Sequence, residues 1–395
     1  VLASATAVAG TLGGVGAALS GPLPGSAVGA SAAGAGAVDA GTTDTGTVDG
    51  SAVAACDVAA RGARAGAGIR AVTLRVALGA AGFGLVAALV AHAGPARLLE
   101  VLGRAAPWLP LALAAEGTRI LAETLASAAL WHATGAQPGW GRLLRAHLVA
   151  YPVVLLAPAG RTAGEVVKAA ILGTSGDAPR AAAIATHMQA LVLFATGLVS
   201  VPCALAAAAV DAPALASALA AQALGLGAAG LAITLAVRRP ELGRLLARFR
   251  RTAALGEAYR AASLRLGLVS GAGLGWMLVA RGAQLAALTT LLAAASPAVA
   301  PLAGWTGFGA TLVGGSAGDF VPGQLGATDA ALAAVHDTLG LSVPDAVAVG
   351  LLAHAVQLAW VLVGVVAGLV RSNGVTGPSQ RVTLPREDVA AAPRA

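Results

Sequence analysis

Residues 181–210 carry no formal charge, and neither do residues 212–237; a single acid, Asp211, separates the two runs. A helix needs about 20 consecutive, predominantly apolar residues to cross a bilayer core of about 30 Å, and both runs exceed that. Similar stretches recur at 76–90 (extendable to 94), 106–131, 266–292 and 346–370. Only 11% of the 395 residues are charged, against about 25% in soluble domains. Too little polar surface remains to cover a water-soluble globule, which excludes an ordinary cytosolic enzyme. A membrane β-barrel needs short alternating segments flanked by aromatic girdles, whereas this chain is 3% aromatic with long apolar runs. The fold class left is all-α: a polytopic integral membrane helical bundle.

The basic residues are 24 arginines and one lysine, Lys168. With so much Ala and Gly, that bias fits a GC-rich genome. The net charge of +7 is not a nucleic-acid footprint, because the arginines cluster beside apolar spans, where they set topology. Cys56 and Cys203 are too few for a disulfide framework. No Cys/His cluster has metal-ligand spacing, and there is no phosphate-binding Gly-rich loop, zinc-protease motif or nucleophile elbow. The expectation is therefore no cofactor, no metal, no nucleic-acid partner and no catalytic centre.

Residues 1–68 are Ala/Gly/Ser/Thr-rich with almost no large side chains. They read as an unstructured extension; residues 2–19 lack the basic start of a signal peptide. Residues 69–371 form the membrane domain, and 372–395 a disordered, net-basic tail. Residues 238–251 hold six arginines with Leu242, Leu245, Leu246 and Phe249 opposite them, a cytoplasmic surface helix for anionic headgroups. Most tryptophans (Trp108, Trp131, Trp140, Trp305, Trp360) fall near predicted span ends, as interface anchors do.

Arginine excess places the segment before Arg75, the Arg142/Arg145 region, the 238–251 segment and the tail on the cytoplasmic side. Six full spans satisfy this, with both termini cytoplasmic. Residues 146–173 must then start and end inside. Residues 146–157 make about 18 Å of helix and 165–173 about 14 Å, each half of the core. This is a re-entrant hairpin with its tip at 158–164. By the same parity, 302–345 starts and ends outside and turns near 319–323. Aligning Pro158 with Pro322 brings Glu165 onto Asp329, Thr174 onto Thr338 and Gly176 onto Gly340. Two broken-helix hairpins entering from opposite faces suggest an inverted repeat; chance similarity in a low-complexity chain is the alternative.

Ionisable groups at membrane depth are expensive and usually functional, so these are the candidate site residues. Glu116, Arg119 and Glu123 share one helix face, either as a self-neutralising set or as the wall of a polar cavity. Arg161, Glu165 and Lys168 sit at or just after the first tip, where a helix N-terminus with Arg161 would cradle a phosphate; Glu165 there is otherwise a favourable N-terminal charge. Arg281 lies too deep in its span to snorkel and needs an anion, from Glu116, Glu123 or a ligand. Asp319 and Asp329 bracket the second tip, where Asp329 could instead cap its helix. His187 and His354 are either packed, hydrogen-bonded histidines or proton carriers.

The tip motifs resemble those of the transmembrane family of lysylphosphatidylglycerol synthases and their flippase-like relatives. The first reads Pro158-Ala-Gly-Arg161-Thr-Ala-Gly164-Glu165-Val-Val-Lys168; the family pattern is P-x-R-x-G-E-x-x-R, so the spacing is slightly wider and Lys168 replaces an Arg. The second reads Val321-Pro322-Gly323-Gln324-Leu325-Gly326-Ala327-Thr328-Asp329, with Asp329 where the family pattern P-G-G-x-G-x-x-E has Glu. The resemblance covers about residues 70–371. His187 and His354 stand where relatives often carry arginine. The resemblance implies a flippase-like unit in a bacterial inner membrane that binds an anionic lipid headgroup through Arg161, Lys168, Arg281 and Arg119, with Glu165 and Asp329 orienting the cations or binding an amine. It implies no aminoacyl transfer, which in bifunctional relatives needs a separate soluble domain. The rival readings are a secondary transporter of a small anion or metabolite, and a non-transporting scaffold for lipid or glycan biosynthesis.

Overall fold

A computed structural model describes residues 84–92, 94–157, 159–173, 177–239, 253–296, 299–300, 302–319 and 321–370. The extension 1–68, most of the first expected span, nearly all of the 238–251 segment and the 372–395 tail lie outside them. Among the described residues there is helix and turn but no strand.

Helix α1 (84–92) is followed by α2 (Pro95–Ala105), a 3-10 turn at Ala106–Trp108 and α3 (Leu109–Ala133). Then come α4 (Trp140–Leu156), α5 (Gly160–Leu172), α6 (Ala178–Ala209), α7 (Pro213–Arg238), α8 (Ala253–Arg265) and α9 (Gly271–Ala295). The chain ends through α10 (Ala303–Ala317), α11 (Ala327–Ala334), the single turn α12 (His336–Leu339) and α13 (Val343–Leu369). Five segments of the described chain are long and apolar enough to cross a membrane: Pro95–Ala133, α6, α7, α9 and α13. They correspond to five of the six expected spans, and this is a multi-pass membrane protein.

The differences from expectation have local causes. The second span is continuous with a helix that starts at Pro95 rather than at 106; Pro107 and Pro110 do not interrupt it because they fall in the first turns of successive helical segments, where proline has no hydrogen bond to lose. The turn expected near 319–323 extends through the 3-10 turn Pro322–Gln324 to Gly326, before α11 and α12, since left-handed backbone at Gly323, Gln324 and Gly326 cannot continue a right-handed helix. Of the tryptophans, Trp108, Trp140 and Trp305 are exposed, but Trp131 is buried in the core. Trp360 donates its indole N–H to the Leu113 carbonyl at 3.1 Å and so ties α13 to α3.

The two hairpins are α4–α5 and α10–α11. At about 1.5 Å per residue, α4 and α5, with 17 and 13 residues, are each shorter than a bilayer core. Hydrogen bonds fix which end of the bundle each hairpin starts from. Arg142 at the start of α4 donates to the Ile171 carbonyl at the end of α5, 2.9 Å, and Arg145 donates to the Val370 carbonyl beyond α13, 3.0 Å. The Ala300 amide donates to the Leu339 carbonyl, 3.2 Å, closing the second hairpin at the end where α13 begins. The hairpins therefore approach from opposite ends. Two apolar clusters cap the bundle. One surrounds Val101, Leu219, Leu292, Phe308 and Val349; the other surrounds Trp131, Leu143, Met188 and Met277. The polar side chains of interest lie between them.

Candidate functional site: a cationic cavity between two helix tips

At the first tip, α4 contains Pro152 and ends at Leu156; Ala157 is extended and Ala159 is left-handed (φ 50°) before α5 begins at Gly160. A Cβ on Gly160 would collide with the Val154 carbonyl, and one on Gly164 with the Val154 side chain. Only glycine lets α5 fold back this closely against α4. At the second tip, the Gly326 amide donates to Asp329 Oδ2, 2.9 Å, capping the start of α11. The tips touch: the Ala159 amide donates to the Asp319 carbonyl at 3.2 Å.

Beside this contact lies a cavity of about 420 Å³. Its polar wall includes Arg119 of α3, Arg161 of α5, Arg281 of α9, and Asp319 and Gln324 of the second tip. Its apolar wall includes Leu193 of α6, Leu226 of α7 and Leu312 of α10. Glu116 also lines it, so the cavity joins a polar, arginine-rich face to an oily one.

The cations are not equivalent. Arg119 is more than neutralised by two carboxylates: Nε and Nη2 donate to Glu116 Oε1 at 2.9 and 2.7 Å, and Nη1 to Glu123 Oε1 at 2.7 Å. The Tyr151 hydroxyl donates to the same Glu116 oxygen at 2.6 Å, and the Arg119 guanidinium sits 5.2 Å from the Tyr151 ring centroid, within cation–π range. Arg161 reaches Glu123 only at 3.6 Å, a looser contact to a carboxylate already engaged. Lys168 pairs with Glu165 at 2.5 Å, both buried; neither lines the cavity.

Arg281 is buried, and its partners are neutral. Nη1 donates to Gln284 Oε1 at 2.7 Å and Nη2 to Thr196 Oγ1 at 2.5 Å. Its Nε has no partner. No carboxylate among the described residues lies within 4.0 Å of it. A buried ion without a counter-ion costs several kcal/mol, so this guanidinium calls for an anion in the cavity.

Of the six residues expected at the site, the structure brings Arg119, Arg161 and Arg281 together around one cavity. Glu165 and Lys168 form a separate buried pair on α5. Asp329 stands behind the wall as the cap of α11 and accepts from His354 Nε2 at 3.1 Å. His354 itself lines the cavity, whereas His187 is spent on the Ala183 carbonyl at 3.0 Å. Sequence reasoning passed over the uncharged members Gln189, Thr196, Gln284 and Gln324. The signal was present: Gln284 follows Arg281 by one helical turn inside an otherwise apolar run, and an intramembrane amide needs a partner as a charge does.

A family model described as "Lysylphosphatidylglycerol synthase TM region" matches residues 72–365, well over half the chain and including both tips and every cavity residue named above. No curated protein and no solved structure matches.

Proposed function

Because the chain belongs to the lysylphosphatidylglycerol synthase TM region family, we propose that it is a flippase-like protein that binds an anionic lipid, or lipid-linked, headgroup in the cationic cavity and passes it across the membrane. In this reading the two hairpins are re-entrant, the protein sits in a bacterial plasma membrane with both termini cytoplasmic, and it makes and breaks no covalent bond. The arginine distribution supports that orientation.

The observation that carries the reading is Arg281: a buried guanidinium held by Gln284 and Thr196 rather than by a carboxylate, facing the same cavity as Arg161. Guanidinium matches phosphate in charge and fork geometry. The adjoining Leu193, Leu226 and Leu312 give acyl chains an apolar surface, which a transporter of small polar anions would not need. A scaffold would have had each interior cation matched to a carboxylate, as Arg119 is.

Native mass spectrometry of the protein extracted from its membrane tests this. The expected result is a co-purifying anionic phospholipid that Arg281→Gln loses and that Arg180→Gln, an arginine paired with Asp177, keeps. Equal retention by both variants, or no bound lipid in the wild type, overturns the reading.

A further inference from the structure

The cavity wall contains one imidazole. His354, midway along α13, lines the cavity. Its Nε2 lies 3.1 Å from Asp329 Oδ2 and 3.4 Å from Thr328 Oγ1. Asp329 is 1% exposed, and its other oxygen, Oδ1, has no partner. A carboxylate accepting from Nε2 fixes that tautomer and leaves Nδ1 as the basic nitrogen. With His354 neutral, the Asp329–His354 pair places one net negative charge behind the wall. With Nδ1 protonated, the pair is neutral.

We infer that the Asp329–His354 pair is a proton-binding site coupled to the cavity, taking up one proton when an anion enters beside Arg161 and Arg281. This rests on the anion-binding reading above. The logic is electrostatic. In the empty cavity Arg281, which touches no carboxylate, and the loosely paired Arg161 disfavour a further positive charge and tolerate the anionic pair. A headgroup phosphate cancels that field and repels Asp329, so a proton from solvent then binds at Nδ1. Anion and proton therefore bind together. The other titratable or charged groups on the wall are Glu116 and Arg119 of α3, Tyr151 of α4 and Asp319 of the second tip. Glu116 and Arg119 are bonded to each other, Tyr151 donates to Glu116, and Asp319 is exposed, which leaves His354 as the responsive group. Thr328 also donates to the Gln324 carbonyl at 3.3 Å, so the pair is wired directly to the second tip.

The test uses the full chain in lipid nanodiscs and a short-chain phosphatidylglycerol, whose phosphodiester keeps one negative charge across the range. Affinity is measured at about pH 5.5 and about pH 8.5, a thousandfold range of proton concentration. Proton uptake is read by calorimetry in two buffers of different ionisation enthalpy. A ligand whose binding brings a proton with it binds more tightly at low pH and loses affinity as pH rises. The expected loss is about tenfold, or ~1.4 kcal/mol, the order produced by one unit charge across a cavity at an effective dielectric of about 20. His354→Gln, whose amide still donates to Asp329, is expected to bind without pH dependence or proton uptake. Binding by the wild type that is pH-independent and without proton uptake overturns the coupling and leaves the headgroup site standing, a result that depends on no variant. Failure of the wild type to bind at either pH removes both. Sulfate is the second probe. Equal affinity and pH dependence with sulfate keep the proton coupling and assign the cavity to free anions, while binding of phosphatidylglycerol alone keeps both readings.

Discussion

The Ala159 amide donates to the Asp319 carbonyl across 3.2 Å, and these two residues belong to hairpins that start from opposite ends of the bundle. The contact joins two breaks in helical structure, so each tip supplies a partner for backbone that would otherwise be stranded at membrane depth. It also closes one side of the cationic cavity, so any movement of one hairpin must break it or carry the other hairpin along.

Cysteines introduced together at Ala159 and Asp319, in a background of Cys56→Ser and Cys203→Ala, should therefore be joined by a short thiol-specific cross-linker. Peptide mass mapping of the digested protein reads the linkage. A yield no better than that of Ala159→Cys paired with a cysteine at Ala209, in the loop-side turn of α6, would separate the tips and dissolve the shared cavity.

Gly350 sets how closely α13 approaches α11, since a Cβ there would collide with Asp329 Oδ1. Gly350→Ala should destabilise the protein by about 1–3 kcal/mol, the usual cost of overpacking, and should displace the Asp329–His354 pair. Gly225→Ala on α7, where nothing lies within 4 Å of the new Cβ, should be as stable as the wild type or more stable by up to about 1 kcal/mol, since alanine is the better helix former. Thermal unfolding in detergent compares the two, and equal midpoints would remove the steric argument.

Glu165 and Lys168 test whether a buried pair off the cavity is structural. Glu165→Gln leaves Lys168 buried and unpaired, which costs about 3–5 kcal/mol, whereas replacing both by apolar residues is often neutral. Glu165→Gln alone should unfold at a markedly lower temperature, and the double variant Glu165→Leu/Lys168→Met should regain most of the loss and retain lipid. Loss of lipid in a well-folded double variant would make the pair part of the binding site.

Much of this was legible in the sequence, for reasons that particular residues make clear. Spans free of charge, such as 181–210, can only be buried in a bilayer, so the fold class and five described spans followed from composition. Pro158 and Pro322 marked the two breaks because proline and glycine there leave helical hydrogen bonds unmade. Arg281 was conspicuous because no arginine sits fifteen residues into an apolar run without a reason. Its partners were not legible: Thr196 is 85 positions away, and such a pairing depends on how α6 meets α9. The apparent equivalence of Glu165 and Asp329 was misleading about roles. Glu165 lies six residues into α5 and pairs with Lys168, while Asp329 is the third residue of α11 and caps it, because the two tips unwind by different lengths after their prolines.

The sharpest consequence concerns two arginines on the same cavity wall. Arg119 holds two carboxylates, Glu116 and Glu123; Arg281 holds none. Removing the charge from Arg119 strands both acids in the interior, so Arg119→Met should cost about 3–5 kcal/mol and yield little folded protein. Removing the charge from Arg281 strands no ion and abolishes a desolvation cost. The losses are two hydrogen bonds from a charged donor, of about 1.5–3 kcal/mol each; they are offset by the several kcal/mol it costs to bury the ion, and the side chains of Gln284 and Thr196 can still meet water in the cavity. Arg281→Met should therefore leave the lipid-free protein as stable as the wild type or more so, while abolishing anionic lipid binding, the trade expected where a binding group is held at the expense of stability. Thermal midpoints of delipidated samples, measured beside phosphatidylglycerol affinity, give both readouts. If Arg281→Met lowers stability as far as Arg119→Met does, Arg281 is a structural ion with a counter-charge of its own and the anion site must lie elsewhere.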